Sequence, residues 1–326
     1  MKVAVLGSGA WGTALARLLS EGGHAITLWG HNAEHLAEMQ HAGRNEKYLP
    51  GIELPRNWRY EASLPAVIAE QECVVLAVPS RAFRQVSEAL ANFSGIVVSV
   101  TKGIECETGL TMSGILEITA PKAQIAALSG PTLALEIARG NPAAGVAASA
   151  ESAAAKQVQK LFHRPTFRVY TSSDLIGVEL GGALKNVIAI AAGVSDGVGF
   201  GDNSKAGLIT RGIAEMRRLG VACGAKADTF SGLSGLGDLS VTCFSKLSRN
   251  RMFGERLGRG EKVDAILANT ITVAEGYPTA RSARQLGRKF NIETPIIDEV
   301  YAMLYEGKKL APALKDLMGR DSKAEN

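Results

Sequence analysis

The stretch VAVLGSGAWGTALA, residues 3–16, decides the reading of the fold. Val3 to Leu6 is a short apolar run suited to a strand buried on both faces. Gly7, Gly9 and Gly12 follow it in G-x-G-x-x-G spacing, and Thr13 to Ser20 carries apolar side chains three and four apart, as a helix requires. In such a unit one glycine makes the turn, the second lets backbone approach a pyrophosphate, and the third lets the helix lie close on the strand. The helix start adds unpaired N–H groups and the positive end of a dipole, both suited to phosphate. The motif alone is weak evidence. Its position directly after a strand and at the head of a helix predicts a nicotinamide dinucleotide site, and hence a dehydrogenase.

About twenty residues further on, NAD-specific folds place an acidic side chain against the ribose hydroxyls. The second strand, Ala25 to Trp29, ends instead in Trp29-Gly30-His31-Asn32, with Arg44 and Lys47 nearby in sequence. Nothing there repels a 2′-phosphate, so NADP is permitted and NADPH favoured, while NAD held through other hydrogen bonds stays open.

Further apolar runs occupy Cys73 to Val78, Ile96 to Val100, Ile125 to Leu128, Gly145 to Ala148 and Phe167 to Tyr170. Their alternation with helical stretches predicts an α/β, Rossmann-type doubly wound sheet. From Ser173 the texture changes. Asp174 to Ala192 forms one long helical pattern, which we expect to be capped at Ser172–Asp174 and ended by Gly193. Asn203 to Leu219, Val263 to Asn269, Thr279 to Phe290, Pro295 to Tyr305 and Ala311 to Leu317 read as helices too. The expected organisation is therefore a dinucleotide-binding domain over 1–172 and a mostly α-helical substrate domain over 173–326, with the polar tail from Arg320 frayed.

Bulk composition narrows the function classes. The 326 residues are 46% hydrophobic and 21% charged, ordinary for a well-packed globular protein. A net charge of +4 without a Lys/Arg run argues against nucleic acid and suits a small anionic substrate. Cys73, Cys106, Cys223 and Cys243 form no CxxC pair, which favours buried free thiols over disulfides or a metal site. There is no signal-peptide pattern and no apolar run long enough to suggest a bilayer span, so a cytoplasmic protein is expected. The apolar second domain leaves a homodimer open.

Three later segments carry chemistry. In SVTKGIE, residues 99–105, Lys102 follows a buried strand whose carboxyl end should line the ligand crevice. In ELGGALKNVIAIAAGVSDG, residues 179–197, Lys185 sits in an otherwise small and apolar helix. A buried lysine is costly unless paired or used, and burial lowers its pKa toward proton exchange with a carbonyl or alcohol oxygen. In SGLSGLGDLSVTCFSKLSRNRMFGERLG, residues 231–258, Asp238 lies in a glycine-rich turn, and Ser248, Arg249 and Asn250 lead into a helix as a phosphate clamp would. Taken singly, each leaves a bland alternative: a solvated Lys102, a snorkelling Lys185, an Arg249 beside an ordinary N-cap.

Together they are recognisable. GSGAWGTALA (7–16), VSVTKGI (98–104), LSGPT (128–132), ELGGALKNVIAI (179–190), DNSKAGLITRG (202–212), GLGDL (235–239), LSRNR (247–251) and VAEGYPTA (273–280) occur in this order. The set closely resembles the bacterial-type NAD(P)-dependent glycerol-3-phosphate dehydrogenases over nearly the whole chain. That resemblance implies reversible reduction of dihydroxyacetone phosphate to sn-glycerol 3-phosphate for phospholipid synthesis. It implies Lys185 as proton donor and acceptor, Lys102 as a second active-site lysine near nicotinamide and substrate, and Asp238 as the carboxylate orienting the catalytic group. Asn186 and Thr242 match its hydrogen-bonding neighbours. Ser248, Arg249 and Asn250 match the phosphate segment, with Arg249 also reaching the cofactor; Gly130 and Thr132 match the turn beside the substrate. Gly7, Gly9, Ala10, Trp11, Gly12, His31, Tyr48, Ala134, Val273 and Glu275 match cofactor contacts. Ala10 departs from the many members that carry Ser there, losing one hydroxyl near the pyrophosphate. The nearest rival is a two-domain dehydrogenase of a β-hydroxy acid, but those place the helix Lys and Asn in Lys-x-x-x-Asn spacing, whereas here Asn186 follows Lys185 directly.

Overall fold

The computed structural model describes residues 1–269 and 274–321. The N-terminal part holds β1 (Lys2–Leu6), α1 (Ala10–Glu21), β2 (Ala25–Trp29), α2 (Ala33–Ala42), β3 (Arg44–Asn45), β4 (Leu49–Glu53) and β5 (Arg59–Glu61). It continues with α3 (Leu64–Ile68), β6 (Cys73–Leu76), α4 (Ser80–Ser87), β7 (Ile96–Ser99), α5 (Met112–Thr119), β8 (Gln124–Ser129), α6 (Ala134–Ala138), β9 (Ala143–Ala148), α7 (Ser152–Phe162) and β10 (Phe167–Ser172). Helices follow: α8 (Leu175–Val198), α9 (Asp202–Ala222), α10 (Asp238–Phe244), α11 (Arg249–Gly258), α12 (Val263–Ala268), α13 (Gly276–Lys289), α14 (Pro295–Tyr305) and α15 (Leu310–Met318).

The main sheet runs β10-β9-β8-β7-β6-β1-β2-β5, with β3 and β4 as a separate antiparallel pair. Alternating side chains of β1 feed two cores. Val3 and Val5 pack with Ala14, Leu15 and Leu18 of α1, while Ala4 and Leu6 pack with Phe83 of α4 and Ile115 of α5. This is the two-faced burial that the apolar runs implied. One pairing departs from the all-parallel expectation: β9 lies antiparallel to β8, with Leu128 opposite Ala147. The short turn Gly130–Pro131 and the one-and-a-half-turn α6 cannot carry a full crossover, so the chain returns alongside β8 in the opposite sense.

Helix α8 is the axis of the second part and is buried along most of its length. By length and composition it could cross a bilayer, but 83% of its most apolar window is buried inside the protein. Asp174 caps it, accepting from the Gly177 N–H at 3.0 Å. The expected stop at Gly193 is wrong: α8 runs to Val198 and ends at Gly199 in the left-handed region (φ 89°). Gly193 serves a contact between helices instead. A Cβ there would meet the Arg251 carbonyl oxygen of α11 at 2.0 Å, and one on Gly197 would meet the Glu255 carbonyl oxygen at 2.2 Å. Across the seam, Gly254 and Gly258 are equally crowded, at 1.9 Å from the Ile190 oxygen and 2.4 Å from the Val194 oxygen. Two glycine pairs, each four residues apart, thus bring α8 and α11 backbone to backbone.

Buried carboxylates tie the two parts together. Glu179 of α8 accepts from the Ser113 N–H (2.9 Å) and hydroxyl at the start of α5. Burial outweighs these bonds and pushes its pKa up to about 7.

Candidate active site

The three glycines of the turn meet different surroundings. Gly7 has φ 131°, and a Cβ on it would strike the Ala77 carbonyl oxygen at 2.5 Å. A Cβ on Gly12 would meet the Gly7 oxygen at 1.9 Å. Gly9, by contrast, faces open space, with nothing within 4 Å of where its Cβ would be. That is a cradle shaped for a group that approaches backbone closely, opening onto the first turn of α1 at Ala10 and Trp11, and it fits a dinucleotide pyrophosphate.

Around this turn, Trp29 is buried and its indole N–H donates to the Ala62 carbonyl at 2.9 Å. Gly30 packs on Ser8, His31 is exposed, and Asn32 caps α2 through the His35 N–H at 2.8 Å. No carboxylate stands at 29–32; the nearest acid in sequence, Glu34, is exposed in the first turn of α2. The half-buried Tyr48 ring and the His35 ring lie perpendicular, with centroids 5.3 Å apart, and Lys47 sits over Tyr48 at 5.2 Å. Ala134 opens α6, which packs on α1. Val273 lies outside the described residues. Sequence reading missed Asn45, 1% exposed, whose amide reaches into the turn.

Beyond the glycine turn, three elements converge on one carboxylate. Lys102 stands three residues beyond the end of β7, Lys185 in the middle of α8, and Asp238 at the first position of α10, directly after a π turn over Leu233–Gly237. That corrects the reading of Asp238 as a residue within a glycine-rich turn: it is helical (φ −70°, ψ −35°) and 1% exposed. Lys102 Nζ donates to Asp238 Oδ2 at 2.6 Å, to the Gly130 carbonyl at 3.0 Å and to Thr132 Oγ1 at 3.2 Å. Lys185 Nζ donates to Asp238 Oδ1 at 2.6 Å and to Thr242 Oγ1 at 2.6 Å. The Thr242 hydroxyl is free to accept because its own proton goes to the Asp238 carbonyl, at 2.6 Å. Gly182 lets Lys102 lie across α8, since a Cβ there would come within 3.4 Å of the Lys102 stem and 2.6 Å of Ser129 Oγ.

Lys185 is only 6% exposed, so it does not snorkel. Burial drives its pKa down, the charge of Lys102 pushes the same way, and Asp238 pulls back; the result is about 8. Asn186, the next residue, donates to the carbonyls of Lys102 and Gly182, each at 3.3 Å. Asn250 donates to Asn186 Oδ1 at 2.8 Å and accepts from the Gly276 N–H at 2.9 Å, so α8, α11 and α13 are joined side by side.

Ser248 caps α11, accepting from the Arg251 N–H at 3.2 Å. The Arg249 side chain beside it is exposed and makes no hydrogen bond to a described residue. Glu275 reaches back to the other part, accepting from the Ser80 N–H (3.0 Å) and hydroxyl (2.6 Å) at the start of α4. Burial raises its pKa, against the Ser80 bonds. The four cysteines are free; Cys73 and Cys243 are buried, whereas Cys106 and Cys223 are partly exposed, which corrects the expectation of buried thiols for those two.

Comparison with known proteins gives one answer along the chain. Residues 2–155 match the family described as NAD-dependent glycerol-3-phosphate dehydrogenase N-terminus, and residues 174–315 its C-terminus. The chain is 47% identical to a glycerol-3-phosphate dehydrogenase [NAD(P)+] of Chlorobium phaeobacteroides, over all of both sequences. It is 48% identical to one of Syntrophotalea carbinolica, over 100% of this chain and 99% of that one. A crystal structure of glycerol-3-phosphate dehydrogenase from Coxiella burnetii superposes with a TM-score of 0.94 at 36% identity, covering 98% of this chain and 99% of the other.

Proposed function

The chain belongs to the NAD-dependent glycerol-3-phosphate dehydrogenase family, and from that premise we propose how its residues divide the work of interconverting dihydroxyacetone phosphate and sn-glycerol 3-phosphate. The observation that carries the reading is one buried carboxylate, Asp238, holding two lysines of different burial. When bound, the nicotinamide cofactor supplies or accepts the hydride at substrate C2. Lys185 gives a proton to the C2 oxygen as the alkoxide develops, and takes it back in the oxidative direction. Asp238 aims both ammonium groups and keeps them from drifting apart; Lys102, with Thr132 and the Gly130 carbonyl, holds positive charge beside the reacting oxygen.

Substrate phosphate is held at the start of α11. Arg249 makes no hydrogen bond to a described residue and feels the charge of Glu275; we assign the phosphate to it, with Ser248 and Asn250 at the same helix start. Gly7, Gly9, Ala10, Trp11 and Gly12 hold the dinucleotide, with His31, Tyr48, Ala134, Val273 and Glu275 around it. The absence of a carboxylate at 29–32 favours NADPH over NADH. We take 1–172 as the dinucleotide domain and 173–326 as the substrate domain, supported by the passage from β10 to α8 at Ser172–Leu175. By family membership, the product supplies phospholipid backbones in the cytoplasm.

Absorbance assays at the nicotinamide band with dihydroxyacetone phosphate, run with NADPH and with NADH, test the reading as a whole. Faster turnover of a β-hydroxy acid would overturn it.

The lowered pKa of Lys185 fixes the sign of a pH effect. Below about 8 the group carries the proton that reduction consumes, and above it the group is the base that oxidation needs. The reductive rate therefore falls as pH climbs through that value while the oxidative rate rises. Initial rates in both directions from about pH 6 to about pH 9.5 check this; parallel profiles would sink the assignment.

Arg249→Ala removes a charge-assisted contact to a group distant from the reaction. KM for dihydroxyacetone phosphate should rise by about 30- to 100-fold, equivalent to roughly 2–3 kcal/mol. Activity toward unphosphorylated dihydroxyacetone should not change. An unchanged KM would remove Arg249 from the phosphate site.

A further inference from the structure

We propose that Asn45 is a positioning residue for the cofactor: its side-chain amide fixes the Ser8–Gly9 peptide so that the Gly9 N–H is presented to the pyrophosphate. This rests on the reading of the glycine turn as the dinucleotide cradle. Asn45 sits at the end of β3, outside the G-x-G-x-x-G motif, and is 1% exposed. Its Nδ2 donates to the Ser8 carbonyl at 2.9 Å and to Thr13 Oγ1 at 2.8 Å, and its Oδ1 accepts from the Tyr48 N–H at 3.3 Å. One side chain therefore joins the turn, the first turn of α1 and the Tyr48 loop.

The consequence follows from the geometry of a peptide unit. In a planar trans peptide the C=O and the following N–H point in opposite directions. Holding the Ser8 oxygen against Asn45 turns the Gly9 N–H away from Asn45. No helix bond uses that N–H, because Gly9 is the residue preceding the first turn of α1. Ser8 is followed by a glycine, whose free backbone makes rotation of this peptide cheap. The glycine that gives a phosphate room to approach also leaves its own donor unaimed, and Asn45 supplies the missing constraint. Binding is then helped by orientation settled in advance.

The test is calorimetric titration with ADP-ribose, which carries the pyrophosphate and lacks the nicotinamide, alongside steady-state kinetics. For Asn45→Ala, which removes all three of its hydrogen bonds and with them the hold on the Ser8 carbonyl, we expect ADP-ribose to bind about tenfold more weakly. KM should rise by the same factor for NADPH and NADH, with kcat and the KM for dihydroxyacetone phosphate within about twofold of wild type. Thr13→Ala, which removes the other acceptor and leaves the Ser8 bond, should bind ADP-ribose as wild type does. A purely structural Asn45 would lower Tm in both variants and leave ADP-ribose affinity unmoved, which overturns the proposal. So does a loss confined to NADPH, since that points to the 2′-phosphate. If Asn45→Ala does not fold, Asn45→Ser and the wild-type Gly9 amide resonance decide. An amide that fails to shift when ADP-ribose binds overturns the proposal. Failure of wild type to bind ADP-ribose at all would instead refute the cradle itself.

Discussion

Lys185→Met protein is expected to bind NADPH within about twofold of wild type and to reduce dihydroxyacetone phosphate about a thousandfold more slowly, within the range a lost general acid gives. Methionine keeps most of the volume of the buried stem, so Thr242, Asn186 and the α8 core stay packed. Asp238 does not become an orphaned buried charge, because Lys102 still donates to its Oδ2 at 2.6 Å. These two facts separate chemistry from folding. The proton on the C2 oxygen would then have to come from water or from Lys102, which is held by Gly130 and Thr132 as well as Asp238. Fluorescence titration of NADPH and steady-state rates give the two numbers. If kcat stays within about tenfold of wild type, only ~1.4 kcal/mol of barrier is at issue and Lys185 is not the donor.

Gly254→Ala should produce a large loss of stability from a single methyl. Alanine is the better helix former by about 1 kcal/mol, and that alone would stabilise α11. The new Cβ, however, stands 1.9 Å from the Ile190 carbonyl oxygen, a backbone atom in the middle of α8 that no rotamer change can move. The helices must separate, and separation is shared by Gly193, Gly197 and Gly258 along the same seam. Overpacking of this kind costs about 3 kcal/mol or more, which outweighs propensity and lowers Tm by about 5–10 °C. Gly207→Ala in α9 is the control, since its Cβ meets nothing within 4 Å; it should leave Tm unchanged or slightly raised. Calorimetry on the three proteins decides, and a Gly254→Ala midpoint within about 2 °C of wild type would mean that the seam yields easily.

That seam also shows what sequence could and could not tell. Apolar runs and the glycine turn announced the sheet, because burial on both faces and phosphate approach leave compositional marks. Gly193 misled, since a glycine after a run of helical spacing looks the same whether it ends a helix or admits a neighbour. The sense of β9 left no mark either, for a strand reads alike in both directions. Lys185 was conspicuous as a charge in an apolar helix, and the structure places Asp238 and Thr242 against it, with Lys102 on the other oxygen of Asp238. Asn45 was silent. Its work is done on a backbone carbonyl 37 positions away, and a polar residue between a helix and a strand looks like any loop residue. Glu179 and Glu275, which hold the starts of α5 and α4, were equally illegible as ties between domains, because their partners are main-chain N–H and serine groups far along the chain.

The depth of Lys185 has a further consequence, for timing. A general acid that gives up its proton must be recharged before the next cycle, and at 6% exposure it has almost no direct line to bulk water. Its immediate neighbours offer no ready source: the Thr242 proton is committed to the Asp238 carbonyl, and Lys102 is tied to three acceptors. On the proposed assignment of Lys185 as the proton donor, recharging waits for the bound phosphorylated alcohol to leave, so proton uptake from solvent and product departure become one coupled interval in the catalytic cycle.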